Sequence, residues 1–203
     1  SKKELEESLS FSLDRPYAIV TYHPVTLEDN QVKKQMEALL GACQKHKELK
    51  YIFTKANADT CGRAINRMID EYVTQQDNAI AVTSLGMLRY LSGLKYCSMV
   101  IGNSSSGIIE APSFGIPTIN IGDRQKGRIQ STSVINCEPE EKSIENAIQL
   151  ALSKEFQDIA KRTVNPYGNG NTSDKVTEVI ASYLFNNKIN LKKKFYNIDF
   201  EVN

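Results

Sequence analysis

No apolar stretch in the chain runs beyond about six residues, far short of the roughly 20 that a membrane-spanning helix needs. No basic segment followed by an apolar one opens it as a secretory leader would. Cysteine is sparse: Cys43, Cys61, Cys97 and Cys137 are dispersed, with no Cys-x-x-Cys pair. That pattern argues against a zinc site or a disulfide framework and for a reduced, cytoplasmic setting. Neither sign of charge is in excess, with 25 Lys and Arg against 24 Asp and Glu. A net charge of +1 speaks against a generic nucleic-acid or membrane-surface binder. Repeats and low-complexity segments are absent too.

What remains is an ordinary globular composition, 40% hydrophobic and 24% charged over 203 residues, enough for one α/β domain, or one domain with an appended tail. The opening Ser1-Lys-Lys-Glu-Leu-Glu-Glu has no Met and no apolar strand, and reads as the start of an isolated half of a longer enzyme. The expected division is a leading helix or linker over 1–15, a Rossmann-like domain over 16–186 and a surface tail over 187–203.

Periodicity supports that division. Leu5 and Leu9 form a helical stripe, extended to Leu13 if the helix runs on towards Pro16. Buried-strand runs are expected at Tyr17–Tyr22, Tyr51–Thr54, Ala79–Val82, Met99–Ile101, Thr118–Ile121 and Ser133–Asn136. Helical spacing separates them, with Thr26 as a candidate N-cap ahead of Val32, Met36, Leu39, Leu40 and Cys43. Helices are also expected at 140–152, 155–161 and 171–185. Strand and helix alternate, so the fold class is α/β: a parallel sheet covered on both faces in a Rossmann-like three-layer arrangement.

Ligands of such sheets bind at the carboxyl ends of the strands. His23, Asn57, Asp59, Ser84, Ser104, Ser105 and Arg124 all fall just after predicted strands. The densest stretch is Val100–Arg124, where an apolar strand enters Gly102-Asn-Ser-Ser-Ser-Gly, then a helix bearing Glu110, then a strand and a basic loop. The turn is neither a Walker loop nor a nucleophile elbow nor a three-glycine dinucleotide fingerprint. It is a hydroxyl-rich cup for an anion, or an ordinary capped turn; the turn alone leaves both open. Glu110 could favour a helix dipole in a first turn or accept ribose hydroxyls. Arg124 reads as a phosphate partner, with Lys126 and Arg128 as alternates. His23 could act as acid, base or diphosphate ligand, or be structural. His46, between Lys45 and Lys47, reads as solvated.

Taken together, Thr21-Tyr-His-Pro-Val-Thr, Gly102-Asn-Ser-Ser-Ser-Gly-x-x-Glu110, Phe114-Gly-x-Pro-x-Ile-Asn-x-Gly-x-Arg124-Gln-x-Gly-Arg128 and Tyr167-Gly-Asn-Gly-Asn resemble the C-terminal half of UDP-N-acetylglucosamine 2-epimerases. The likeness covers roughly residues 16–195. The non-hydrolysing branch carries His-Arg-x-Glu-Asn after the first strand and Thr-Glu-Arg-Pro-Glu after the late one. This chain has His23-Pro-Val-Thr and Arg124-Gln-Lys-Gly-Arg there, and so is similar to the hydrolysing branch of sialic- and nonulosonic-acid biosynthesis.

The resemblance implies one half of a two-domain, GT-B-like enzyme that binds a UDP-sugar. Ser104 and Ser105 would hold the diphosphate, Glu110 the ribose, Arg124 the phosphate and the Ser84–Leu85 backbone the uracil. Asn57 matches a site residue, and His23, taken as catalytic, sits by the departing sugar. It implies no metal and no cofactor. The expected partner is the N-terminal domain of the same polypeptide, which would hold the carboxylates that move the C2 proton. The chain alone is therefore expected to be inactive, and a homo-oligomer of the full-length enzyme stays open. Two alternatives remain at this level: the donor domain of a GT-B glycosyltransferase, and a nucleotide-sensing module.

Overall fold

The computed structural model describes residues 1–25, 31–57, 61–186 and 192. Six strands, β1 (Tyr17–Thr21), β2 (Lys50–Thr54), β3 (Ala79–Val82), β4 (Met99–Gly102), β5 (Thr118–Ile121) and β6 (Val134–Cys137), form one sheet in the order β3-β2-β1-β4-β5-β6. Each neighbouring pair is parallel. The chain builds outward from β1 to β3, then returns to lay β4 on the other side of β1. That reversal opens a crevice at the carboxyl ends of β1 and β4.

Both faces of the sheet are covered, which is why its strands read as apolar runs rather than alternating ones. Ala18, Val20, Tyr51, Phe53, Ile101, Ile119 and Ile121 meet α2 (Val32–Lys45), α3 (Gly62–Gln75) and α6 (Glu141–Leu152) through Met36, Leu39, Ile65, Ile69, Ile144 and Ile148. Tyr17, Ile19, Ile52 and Val100, one residue out of phase, face α1 (Lys2–Leu9) and α4 (Gly86–Tyr96) through Leu5 and Leu94. Burying each such side chain contributes about 1.5–3 kcal/mol before conformational entropy is charged against it. Cys43 and Cys97 lie in these cores, as expected of small apolar residues.

Several expectations shift. α1 stops at Leu9, because Ser10 turns left-handed at φ 49° and returns its N–H to Glu6 and Glu7. Leu13 is still buried, from beyond the helix. His46 is not solvated: it ends α2 at 7% exposure, with Nδ1 2.8 Å from Glu48 Oε1 and its carbonyl accepting the Tyr51 hydroxyl. Flanking lysines suggested a wet helix end, but the ring folds inward while they point out. Thr26 and Asp59 lie outside the described residues, as does the tail apart from Lys192.

Contacts divide the chain into a unit over Ser1–Tyr167, which holds the sheet, and a second from Gly168 on, which carries α8 (Thr172–Phe185). In the first unit, α7 (Lys154–Lys161) follows α6 directly, capped by the Ser153 hydroxyl. Among the described residues no helix is long and apolar enough to cross a membrane.

Candidate functional site

The β4 turn is built around Gly102, whose φ is +136°. A Cβ there would fall 1.9 Å from the Thr21 carbonyl oxygen, so only glycine lets β4 end this close to β1. The backbone then passes Asn103 and Ser104 into α5 (Ser106–Ile109), a single turn with Ser105 at its N-cap position. The Ser104 hydroxyl accepts the Ser106 N–H at 3.4 Å, while the Ser105 hydroxyl makes no capping bond.

Glu110 is a correction. It ends α5 instead of lying within a helix, because Pro112 forces the chain into a 3-10 turn over Ala111–Phe114. A carboxylate at that C-terminal end gains nothing from the α5 dipole, and at the N-cap position of the 3-10 turn its side chain makes no capping bond. The junction is braced from a distance: Asn165 Nδ2 donates to the Ile109 carbonyl at 2.8 Å and to the Ser113 hydroxyl at 2.6 Å.

Asn57, Ser84, Leu85, Ser104 and Glu110 line one cleft of about 430 Å³ at the carboxyl ends of β1 to β4. Asn57, Ser84 and Glu110 are exposed in it, Ser104 is half-buried and Leu85 is buried. The cleft also contains residues that the sequence reading missed: Thr21, Thr54, Lys55, Tyr90 and Ser106. The Thr21 and Thr54 hydroxyls meet at 2.6 Å across β1 and β2. Lys55 brings a cation, its Nζ 2.8 Å from Asp70; its place directly after β2 was the available signal. Tyr90 and Ser106 share a hydrogen bond. Burial pushes the Tyr90 phenol well above its usual range and the nearby Glu110 carboxylate adds to this, so it stays protonated.

His23, Ser105 and Arg124 do not line that cleft. Arg124 borders a smaller cavity of about 180 Å³ with Tyr22, Gln35, Ile121 and Glu138. Asn103 joins the two groups. Its Oδ1 accepts the His23 N–H at 2.8 Å, and its Nδ2 donates to the His23 carbonyl at 2.8 Å. Its own carbonyl accepts Arg124 Nη1 at 2.9 Å and Gln125 Nε2 at 2.8 Å. Gln125 Oε1, by contrast, is buried with no hydrogen-bond partner among the described residues. Leaving such an atom unpaired costs about 1–3 kcal/mol, which the fold tolerates while Nε2 stays on the Asn103 carbonyl.

Chemically, the cleft offers hydroxyls, a lysine and an exposed carboxylate, and the neighbouring cavity adds one arginine with donors to spare. That set can hold a phosphorylated polyol. Among the described residues, His, Cys, Asp and Glu nowhere gather in a group of three or more that could hold a metal ion.

Residues 1–181 match the family model for UDP-N-acetylglucosamine 2-epimerase. The chain belongs to this family. The "GDP/UDP-N,N'-diacetylbacillosamine 2-epimerase (hydrolyzing)" of Campylobacter jejuni is 41% identical over 77% of this chain and 41% of its own length. The "Polysialic acid biosynthesis protein P7" of Escherichia coli is 36% identical over 98% of this chain and 50% of its own. A Legionella pneumophila hydrolysing UDP-N,N'-diacetylbacillosamine 2-epimerase is 31% identical over 88% and 46% respectively. The chain thus spans about half the length of the curated relatives it matches. Among solved structures, the S. aureus MnaA–UDP co-structure matches 97% of this chain and 52% of its own, with a TM-score of 0.70 at 17% identity. The Neisseria meningitidis UDP-GlcNAc 2-epimerase bound to UDP-GlcNAc gives a TM-score of 0.66 over 89% of this chain and 48% of its own, at 17% identity. At these identities the structures establish the fold.

Proposed function

We propose that this chain is the UDP-binding C-terminal half of a hydrolysing epimerase. That enzyme would convert UDP-N-acetylglucosamine, or a diacetamido analogue, and water into an N-acetylmannosamine-type sugar and UDP. The observation that carries the reading is the cleft itself. It gathers Asn57, Ser84, Leu85, Ser104 and Glu110 beside the β1–β4 crevice, in a chain of this family. The names of the Campylobacter and Legionella relatives support a diacetamido sugar, and that of the Escherichia coli relative supports a place in sialic-acid chemistry.

In this reading Glu110 accepts the ribose hydroxyls, and Ser104 and Ser105 donate to the diphosphate. Arg124 adds a charge-assisted bond to phosphate, and the Ser84–Leu85 backbone meets the base. α5 has only one turn, so its dipole contributes little; hydroxyls and Arg124 carry the anion. Elimination removes the C2 proton as the C1–O bond breaks, UDP leaves with the bonding pair, and a 2-acetamidoglucal remains. Water then adds its hydroxyl to C1 and a proton returns to C2 from the opposite face. Arg124 and His23 stabilise the charge on departing UDP. The base at C2 belongs to the other half of the polypeptide, so we assign this chain binding without turnover.

Calorimetric titration of the chain with UDP, UMP and GDP tests the reading. UDP is expected to bind more tightly than UMP, and Arg124→Ala to weaken UDP about 10- to 100-fold, the value of a hydrogen bond to a charged partner. Equal affinity for UDP and UMP would remove the diphosphate assignment. GDP matching UDP would remove the uridine preference, a real alternative given the GDP/UDP name of the Campylobacter relative.

A further inference from the structure

Of the residues assigned to one ligand, some line the β1–β4 cleft and Arg124 borders a separate cavity, while the buried Asn103, next to Ser104, bonds His23 through its side chain and Arg124 through its carbonyl. We propose that Asn103 is a positioning residue that couples His23 to Arg124, so that the β1 end and the loop after β5 present their donors to a nucleoside diphosphate as one unit. The inference rests on the nucleotide reading for its ligand, but not for its geometry.

β4 lies between β1 and β5 in the sheet, so the residue that follows β4 is the one able to reach both neighbours. Asn103 does so with every polar group it has. Its N–H donates to the Thr21 carbonyl at 3.2 Å. Its side-chain amide pairs with both backbone groups of His23, fixing the two peptides that flank that residue. With the side chain locked in this way, the Asn103 carbonyl has a fixed direction, and both of its acceptor sites are taken, by Arg124 and Gln125. At 1% exposure the pairings are shielded from competing water.

Of the polar side chains only Asn carries a donor and an acceptor at the length needed to close this pair of bonds. Aspartate would lose the donor, and glutamine would overreach. A guanidinium has five N–H donors, so spending one on the Asn103 carbonyl leaves the others for an anion while stopping the arginine from wandering. A second asparagine does the same for β2. Asn66 accepts the Ala56 N–H at 2.8 Å and donates to the Ala56 carbonyl at 3.1 Å, directly before Asn57. Holding post-strand residues by an asparagine amide is thus a repeated device of this sheet.

The experiment compares the wild-type chain with Asn103→Ala, Arg124→Ala and the double variant, by calorimetry with UDP and by NMR without ligand. Asn103→Ala is expected to weaken UDP about tenfold, and the double variant to bind within about twofold of Arg124→Ala alone, because the two losses are one. A merely structural role would make the losses multiply, and that overturns the coupling. Without ligand, Asn103→Ala is expected to speed hydrogen exchange at the His23 amide and to merge the resolved Arg124 guanidinium signals. Unchanged signals overturn the proposal even where UDP binds. If wild type shows no UDP binding, the nucleotide reading fails, while the ligand-free signals still decide the coupling. Should Asn103→Ala not fold, Asn103→Asp carries the test: it keeps the size but loses the donor to the His23 carbonyl, and is expected to speed exchange at the His23 amide and loosen Arg124 together; an unmoved Arg124 signal overturns the proposal.

Discussion

Glu110 stands exposed at a break between two short helical turns, where no cap or ion pair among the described residues accounts for a carboxylate. Its neighbours are a protonated tyrosine and hydroxyls, a setting in which an ionised carboxylate accepts hydrogen bonds from vicinal hydroxyls. Glu110→Gln keeps the shape but gives up a charged acceptor, so UDP affinity should fall about tenfold. The same substitution should leave 2′,3′-dideoxy-UDP binding unchanged. Calorimetry with both ligands checks this, and an equal loss for both would take Glu110 off the ribose. Glu110 is legible as a candidate from the sequence, while the end of its helix is set by Pro112, two residues on. Nothing local in the turn motif marks Asn103, because its partner His23 lies 80 residues away.

At the level of elements, the strands were legible because a sheet covered on both faces demands continuous apolar runs. β3 and β5 fall at the residues expected, and the others differ by a residue at one end or both. Strand order was not readable from periodicity, although the alternation of elements implied a parallel sheet. The close approach of β4 to β1 depends on Gly102, and here the sequence carried a signal: a glycine at the strand end, ahead of a polar turn. Gly102→Ala sets a Cβ against the Thr21 carbonyl at a φ that L residues avoid, and neither backbone can move without opening the crevice. Destabilisation by about 3 kcal/mol or more is expected, read as a drop in midpoint on chemical denaturation. A change below about 1 kcal/mol would show that the β1–β4 approach is softer than the structure indicates.

Over the whole molecule, a net charge of +1 hides a local arrangement, with Lys55 lining the cleft and Arg124 bordering the smaller cavity beside it. Residues after every strand from β1 to β5 feed the candidate site, which is how a sheet assembled from distant segments concentrates its chemistry at one edge. The relatives extend to about twice the length of this chain. A second cavity of about 410 Å³, lined by Asn120, Lys126, Gln130, Asn136 and Ser143 among others, is comparable in size and offers a competing location for a polar ligand. Amide chemical-shift mapping of the chain titrated with UDP separates the two. The largest changes are expected at Ser84–Gly86, Ser104–Ser106 and Glu110, with Asn103 and Arg124 following and Gln130, Asn136 and Ser143 of the second cavity unmoved. Changes centred on Gln130, Asn136 and Ser143, or none with UDP in large excess, would contradict nucleotide binding at the β1–β4 crevice.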